Sequence, residues 1–490
     1  MTRTAPRRRF MATAGAAVAA AAARVSQSNA QTPVLLPSWV ADVDGDGAVG
    51  ASDRDLAASA LFTNRGFGLQ PAHGFDPRAD VFGRGTVDAT SVNSIEHSVQ
   101  RYGAGLQTRT RPITIAWHYG WYKSTIRPVA LQTTRFRGGN YLSADPVVET
   151  TFNELKNEFG VTVDALSWIP ARDLHNHSNQ ENYRQGYLQA PNANTRYACL
   201  IYENTIANLR NSGDPFERLD FRTAGVIERL RDDFEEMARF LVEVRDETPV
   251  RIFTLDGRPV IFIFGSHTWG TIPPNAAAYT AIRDAIRMLR NRFRDIYGAF
   301  PYLVGDEVYL ASTRDVTEDR KLRSTNFDAI YVYHHAALKP TQTPLALPVS
   351  RAYIENLLTI LRTNYATIGS INNAFTGRRI LVIPNLSPGF AKPGYPTLQI
   401  NRATYTDFLK LLRDVHLHEY IETNWLAQLG TPALPAPTYI VGSWNEEFEG
   451  HAIFPFDFNL TVPDAVQHGF DLSMAVKEAF GWNHYANRDL

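Results

Sequence analysis

The chain has 490 residues, 49 basic and 50 acidic side chains, and a formal net charge of −1. That balance excludes a general electrostatic grip on nucleic acid or on an anionic membrane. A hydrophobic content of 44% fits a globular protein of two or three domains, and one cysteine, Cys199, excludes a disulfide framework or a multi-cysteine metal site.

Residues 1–30 read as an export signal. Arg7-Arg8-Arg9-Phe10-Met11 is followed by an Ala-rich run to Ala23, and Ser28-Asn29-Ala30 offers a small-x-small exit. The arginines resemble the twin-arginine signal that bacteria use for folded cargo, which predicts a secreted or periplasmic protein. The apolar run is shorter than the roughly 20 residues a membrane span needs, and no second stretch reaches that length.

A small calcium module is expected over residues 38–102. Asp42 to Asp53 reads D-V-D-G-D-G-A-V-G-A-S-D, with oxygen side chains at loop positions 1, 3, 5 and 12. Ca²⁺ takes six to eight oxygens, and a 12-residue loop delivers them at that spacing. Asp42, Asp44, Asp46 and Asp53 would supply carboxylates and Ala48 its carbonyl. Gly47 permits the sharp turn, and a helix is expected from Asp53 to about Leu61. The pattern recurs 38 residues on, where Phe82, Arg84 and Ser91 replace three of the carboxylates, so the second copy should keep the turn and lose the metal. These residues resemble a type I dockerin with EF-hand-like loops. The resemblance implies a cohesin-like partner, and the degenerate second loop leaves a calcium-clamped spacer as an equal reading.

From Arg111 the texture changes. Eight short apolar runs read as strands: Ile113–Trp117, Ala165–Trp168, Ala198–Tyr202, Val260–Phe264, Tyr302–Val304, Ala329–Tyr333, Ile380–Pro384 and Tyr439–Ser443. Helical periodicity falls between most of them, most clearly over 220–242, 277–297, 352–365 and 403–426, with a last helix near 465–480. The link 169–197 shows no clear period. Asp256-Gly257 is a hairpin signal, so Val250–Leu255 reads as an extra strand. The alternation predicts an α/β fold, a (β/α)₈ TIM barrel over residues 111–485. An open doubly wound sheet is the second choice, and no glycine-rich nucleotide loop follows any strand.

Barrels carry function just past their strand C-termini. There the sequence places His118, Tyr119, Trp121 and Tyr122, then Trp168, Glu203, Ser266 and His267. Asp306, Glu307, His334, His335, Asn385, Trp444 and Asn445 follow in the same way. Aromatic faces that cover C–H groups, beside groups that hold hydroxyls, suit a sugar. Each of these positions also has a reading as buried core or satisfied surface. The sharpest pattern is Glu446-x-x-Glu449 after strand eight, because glycosidic cleavage needs two carboxyls in different protonation states.

Ser443-Trp444-Asn445-Glu446-Glu447-Phe448-Glu449-Gly450 resembles the strand-eight motif of glycoside hydrolase family 99 and the related WbsX-like proteins. Thr254-Leu255-Asp256-Gly257-Arg258-Pro259-Val260-Ile261-Phe262 and Trp117-His118-Tyr119-Gly120-Trp121-Tyr122 are similar to two further family segments. The resemblance spans about residues 112–460. It implies a retaining, endo-acting hydrolase of α-linked mannosides that needs no metal for catalysis. Glu446 would be the base for the substrate's 2-hydroxyl, and Glu449 the acid for the leaving oxygen. Glu447 stands where the family has Trp, and Phe454 where it has Glu, so the glycan is open. A non-catalytic carbohydrate-binding or adhesion protein on the same barrel is the alternative.

Overall fold

The computed structural model describes residues 48–59, 89–102, 106–107, 112–122, 142–170, 179–203, 219–270, 276–307, 317–333, 351–390, 398–399, 402–416, 420, 438–445, 452–453 and 471–480. The chain divides into two compact units, Met1–Pro112 with Lys477–Leu490, and Ile113–Val476.

In the smaller unit, β1 (Ala48–Val49) pairs antiparallel with β2 (Leu106–Gln107). Helices Ala51–Ser59 and Ala89–Tyr102 accompany them. The first starts where Gly50 N–H donates to Asp53 Oδ2 at 2.7 Å, so Asp53 caps the helix from its third residue. Asp53 is fully buried. Asp42, Asp44 and Asp46 lie outside the described residues, as does the signal segment 1–30.

The larger unit is built on eight parallel strands: β3 (Ile113–His118), β4 (Val163–Trp168), β5 (Tyr197–Tyr202), β8 (Arg258–Ile263), β9 (Tyr302–Asp306), β10 (Ala329–Tyr331), β11 (Leu381–Val382) and β14 (Thr438–Ser443). They stand side by side in chain order, and β14 returns to pair with β3. The remaining gap is bridged in parallel between Asn385 and Ile440. There Ile440 N–H donates to Pro384 O and Leu386 N–H to Ile440 O, each at 2.9 Å. These bonds close the ring into a (β/α)₈ barrel. All eight strands lie where the apolar runs predicted. Two short pieces, β6 (Arg251–Ile252) and β7 (Thr254–Leu255), take the place of the extra strand. β7 turns back antiparallel onto β8 through Asp256 and Gly257, both at positive φ. A further ladder joins β12 (Gly389–Phe390) to β13 (Leu398–Gln399).

Helices cover the ring. Pro146–Phe159 has no strong sequence period, but it has strong ends. Asp145 accepts Val147 N–H, Pro146 opens the first turn, and Gly160 closes the last at φ 79°. Val226–Glu247 and Ala276–Tyr297 turn Leu230, Phe234, Met237, Leu241, Ile282, Ile286 and Leu289 onto the sheet. The aperiodic link 169–197 includes a short helix, Asn179–Gln185, and two single-turn 3₁₀ segments. Among the described residues, no helix is long and apolar enough to cross a membrane.

Strand alternation separates two environments. Leu166, Trp168, Leu200, Tyr202, Ile261, Ile263 and Leu303 share one buried cluster with the covering helices. Their neighbours face the axis. Trp117, Phe262 and Tyr331 come from three strands that are not adjacent, yet their rings meet at 4.9–5.3 Å. They form an aromatic layer across the barrel.

One buried group ties stability to pH. His416 sits between Tyr365, Tyr420 and Tyr439, with Nδ1 2.7 Å from the Tyr365 hydroxyl. Burial holds its pKa down to about 3, from an ordinary 6.5. The unfolded chain therefore binds a proton that the fold refuses, and stability falls as pH drops below 6.5 towards 3. The expected loss by pH 5 is about 2 kcal/mol. In melting curves taken across this range, His416→Gln should flatten the decline, and a slope equal to wild type would contradict the assignment.

Candidate active site

At the C-terminal ends of the strands, the axis-facing residues continue beyond the aromatic layer. Tyr333 lies 6.2 Å above Trp117 at an interplanar angle of 24°, and the edge of Phe264 meets it at 4.5 Å. Its hydroxyl is 2.6 Å from that of Tyr119, which packs on Trp121 at 4.3 Å. Trp121, Phe264 and Tyr333 are half-buried, so their faces border the mouth.

Polar groups stand among them. Glu203 follows β5 on the axis side and accepts the Ser167 hydroxyl from β4. Asp306 ends β9, buried. Its Oδ2 accepts Gly265 N–H and its Oδ1 accepts Tyr333 N–H, each at 3.0 Å. One carboxylate thus joins the turns after β8 and β10. His267 Nδ1 lies 3.5 Å from Asp306 Oδ2, and its ring is one-third exposed. Asn385 donates to Val332 O at 2.8 Å and to Tyr333 O. Among the described residues, Trp117 Nε1, Trp121 Nε1, Tyr331 Oη and Asn385 Oδ1 are buried without a hydrogen-bond partner. Burial, helped by Asp306 and Glu203, pushes the Tyr331 phenol well above its usual range, so it stays a neutral donor.

Asn445 binds the first and last strands together. Its Oδ1 accepts Tyr119 N–H at 2.8 Å, and its Nδ2 donates to Tyr119 O at 2.9 Å. Tyr122 Oη donates to Asn445 O. Trp444 N–H donates to Trp117 O at 2.6 Å. Beyond this point Ala452 bridges Ser443 in parallel, and Ile453 N–H donates to Ser443 O at 2.9 Å. The chain leaves at Asn445 and is back beside Ser443 at Ala452. Residues 446–451, with Glu446 and Glu449, lie outside the described residues, as do His334 and His335.

Three other predicted residues face the helices. Trp168 packs on Phe240 at 4.9 Å, and Trp444 meets Phe152 at 5.8 Å. His118 Nδ1 is 2.8 Å from Lys156 Nζ, and its Nε2 is 3.3 Å from Glu149 Oε1. All three are fully buried. Glu307 also points outward and pairs with Arg323 at 3.1 Å. Burial raises its pKa, and Arg323 offsets part of that rise. Tyr119, Trp121, Tyr122, Glu203 and Asn445 meet on the mouth side. Phe264, Tyr331 and Tyr333 were absent from the predicted site. Counting by twos from Trp117 in β3, and from strand end to strand end, would have found them.

No family model and no curated protein matches this chain. Among solved structures it is similar to a glycoside hydrolase-like protein at 14% identity and TM-score 0.51, over 76% of this chain and 94% of that one. It also aligns with the GH99 endo-alpha-mannosidase from Bacteroides thetaiotaomicron in complex with bis-tris propane at 16% identity and TM-score 0.43, covering 76% and 96%. A second structure of that enzyme aligns at 15% and 0.42, covering 77% and 98%. The likeness is one of fold, a (β/α)₈ barrel.

The Asn445 clamp yields a stability test. Asn445→Ala strands the Tyr119 N–H and C=O in a buried place. The expected cost is about 2–6 kcal/mol, because each of the two orphaned buried polar groups costs about 1–3 kcal/mol. Chemical denaturation measures it, and a loss below the cost of one such group would mean that the clamp carries no strain-free bond pair.

Proposed function

We propose that the chain is an exported, retaining, endo-acting glycoside hydrolase of an α-linked polysaccharide such as α-mannan. The supporting observation is the pair of ties on the two described residues that flank the motif. Asn445 is bonded to Tyr119 and Ala452 bridges Ser443, at the strand ends that also carry Trp121 and Tyr333. The motif's resemblance to family 99 adds the roles. Glu446 takes the proton of the 2-hydroxyl while O2 attacks C1. Glu449 protonates the departing glycosidic oxygen, giving a 1,2-anhydro sugar. Water then gives its proton to Glu449 as it opens the ring at C1, and Glu446 returns a proton to O2. The mouth's aromatic faces would cover sugar C–H groups.

Glu446→Gln and Glu449→Gln should each lower hydrolysis by about 10³-fold or more while the glycan still binds. Product analysis across a panel of α-linked polysaccharides reads the outcome. A fully active double variant would sink the enzymatic reading. A wild type that retains glycan and releases no product would favour the binding protein instead.

For the small unit we propose one structural calcium held by Asp42, Asp44, Asp46, Asp53 and the Ala48 carbonyl. Adding calcium to chelator-treated protein should raise the melting temperature, and Asp44→Asn should blunt that rise. Equal melting with calcium and with chelator would remove the site. A cohesin-like partner for this unit would be captured only in the presence of calcium.

A further inference from the structure

Behind the mouth, between β3, β4, β14 and the helix Pro146–Phe159, lies a buried cluster of charges that the chemistry above does not use. Lys156 is its hub and is fully buried. Its Nζ is 2.8 Å from Asp164 Oδ1 and 2.8 Å from His118 Nδ1. It also lies 5.4 Å from the Trp444 ring, 5.7 Å from Tyr187 and 6.0 Å from Phe152. Asp164 Oδ2 accepts Arg196 Nε at 2.9 Å and Tyr187 Oη at 2.7 Å. Glu149 faces His118 on the far side. Two cations and two carboxylates balance, which is what allows them to be buried together.

The cluster touches both halves of the Asn445 clamp. His118 precedes Tyr119, whose main chain the Asn445 amide holds, and Trp444 precedes Asn445 itself. Lys156 contacts His118 by a hydrogen bond and Trp444 by its ring face. A cation over a desolvated indole is worth about 2 kcal/mol, enough to select one ring position. Burial pulls the Lys156 pKa down, while Asp164 opposes that pull. For Asp164, burial acts upward, but Arg196 and Lys156 outweigh it and hold the carboxyl well below the usual range.

We propose that Lys156 is a positioning residue: it fixes Trp444 and His118 from behind, and so holds the Asn445–Tyr119 clamp in place at the barrel mouth. Its effect on turnover rests on the glycosidase reading; its effect on the clamp does not. The test is hydrogen-exchange mass spectrometry on full-length wild type, Lys156→Met and, as a control, Arg290→Met. Arg290 pairs with Asp328 at 2.6 Å in a separate buried cluster. Lys156→Met should speed exchange about tenfold in peptides covering 113–122 and 438–445, and leave 226–247 near wild type. Arg290→Met should leave the first two peptides unchanged. Uniform acceleration in Lys156→Met, or an unaltered clamp, overturns the proposal. If Lys156→Met does not fold, His118→Gln cuts one arm and leaves the Lys156–Asp164 pair; it must loosen the same two peptides, and a wild-type pattern there overturns the proposal. On a cleaved glycan, Lys156→Met should lower kcat about 10²-fold, as misplaced catalytic groups do, with KM within about twofold. A wild type that cleaves nothing defeats the glycosidase reading alone, because exchange is read without substrate.

Discussion

The mouth of this barrel depends on one side-chain amide that finishes what the backbone cannot. β3 ends at His118 and β14 at Ser443, and past those points the ladder between the first and last strands runs out. Asn445 offers an acceptor and a donor in the geometry of a peptide group, and both reach the main chain of Tyr119. Aspartate has no donor and leucine has neither, so the position accepts few substitutes. The hydroxyl of Tyr122 occupies the Asn445 carbonyl, which leaves the residue satisfied though fully buried. The position of Asn445 at the end of the last strand is thereby settled by hydrogen bonds.

A second tie acts across the opposite side. Asp306 takes a backbone N–H from the turn after β8 with one oxygen and from the turn after β10 with the other. Asn385 reaches back to the carbonyls of Val332 and Tyr333. The loops that carry Phe264, His267 and Tyr333 are thus fixed by side chains rooted at strand ends. Sites held by rigid elements keep their geometry, and here the rigidity comes from buried polar groups that are paired to backbone.

The fold was legible in the sequence because each barrel strand is a short apolar run bounded by polar links, and parallel strands buried on both faces must look so. The helix Pro146–Phe159 was harder to read, since its face toward the sheet carries Glu149, Asn153 and Lys156, which break the apolar period. The site was half legible. Residue type drew attention to Trp117-His118-Tyr119 and to Ser443-Trp444-Asn445, but consecutive residues leave a strand on opposite faces. Tyr119 and Asn445 reach the mouth side, while His118 and Trp444 turn to the helices. An imidazole between a lysine and a carboxylate cannot be told from a ligand-binding histidine until the partners are known. Tyr331 and Tyr333 carried no motif, and only the alternation within β10 points to them.

The two faces of the sheet carry different kinds of buried polar group: ion pairs outside, aromatic hydroxyl and indole groups on the axis. On the outer face the charges are matched: Lys156 and Arg196 against Asp164 and Glu149, Arg323 against Glu307, Arg290 against Asp328. A matched buried set holds position and has little left to offer a ligand. Among the described residues, buried polar atoms without a hydrogen-bond partner occur on both faces, with Trp168 Nε1, Asn153 Oδ1 and Arg290 Nε on the outer one. Among the same described residues, Trp117 Nε1 and Tyr331 Oη within the aromatic layer, and Trp121 Nε1 and Asn385 Oδ1 beyond it, have no hydrogen-bond partner. Such groups cost free energy until something bonds to them.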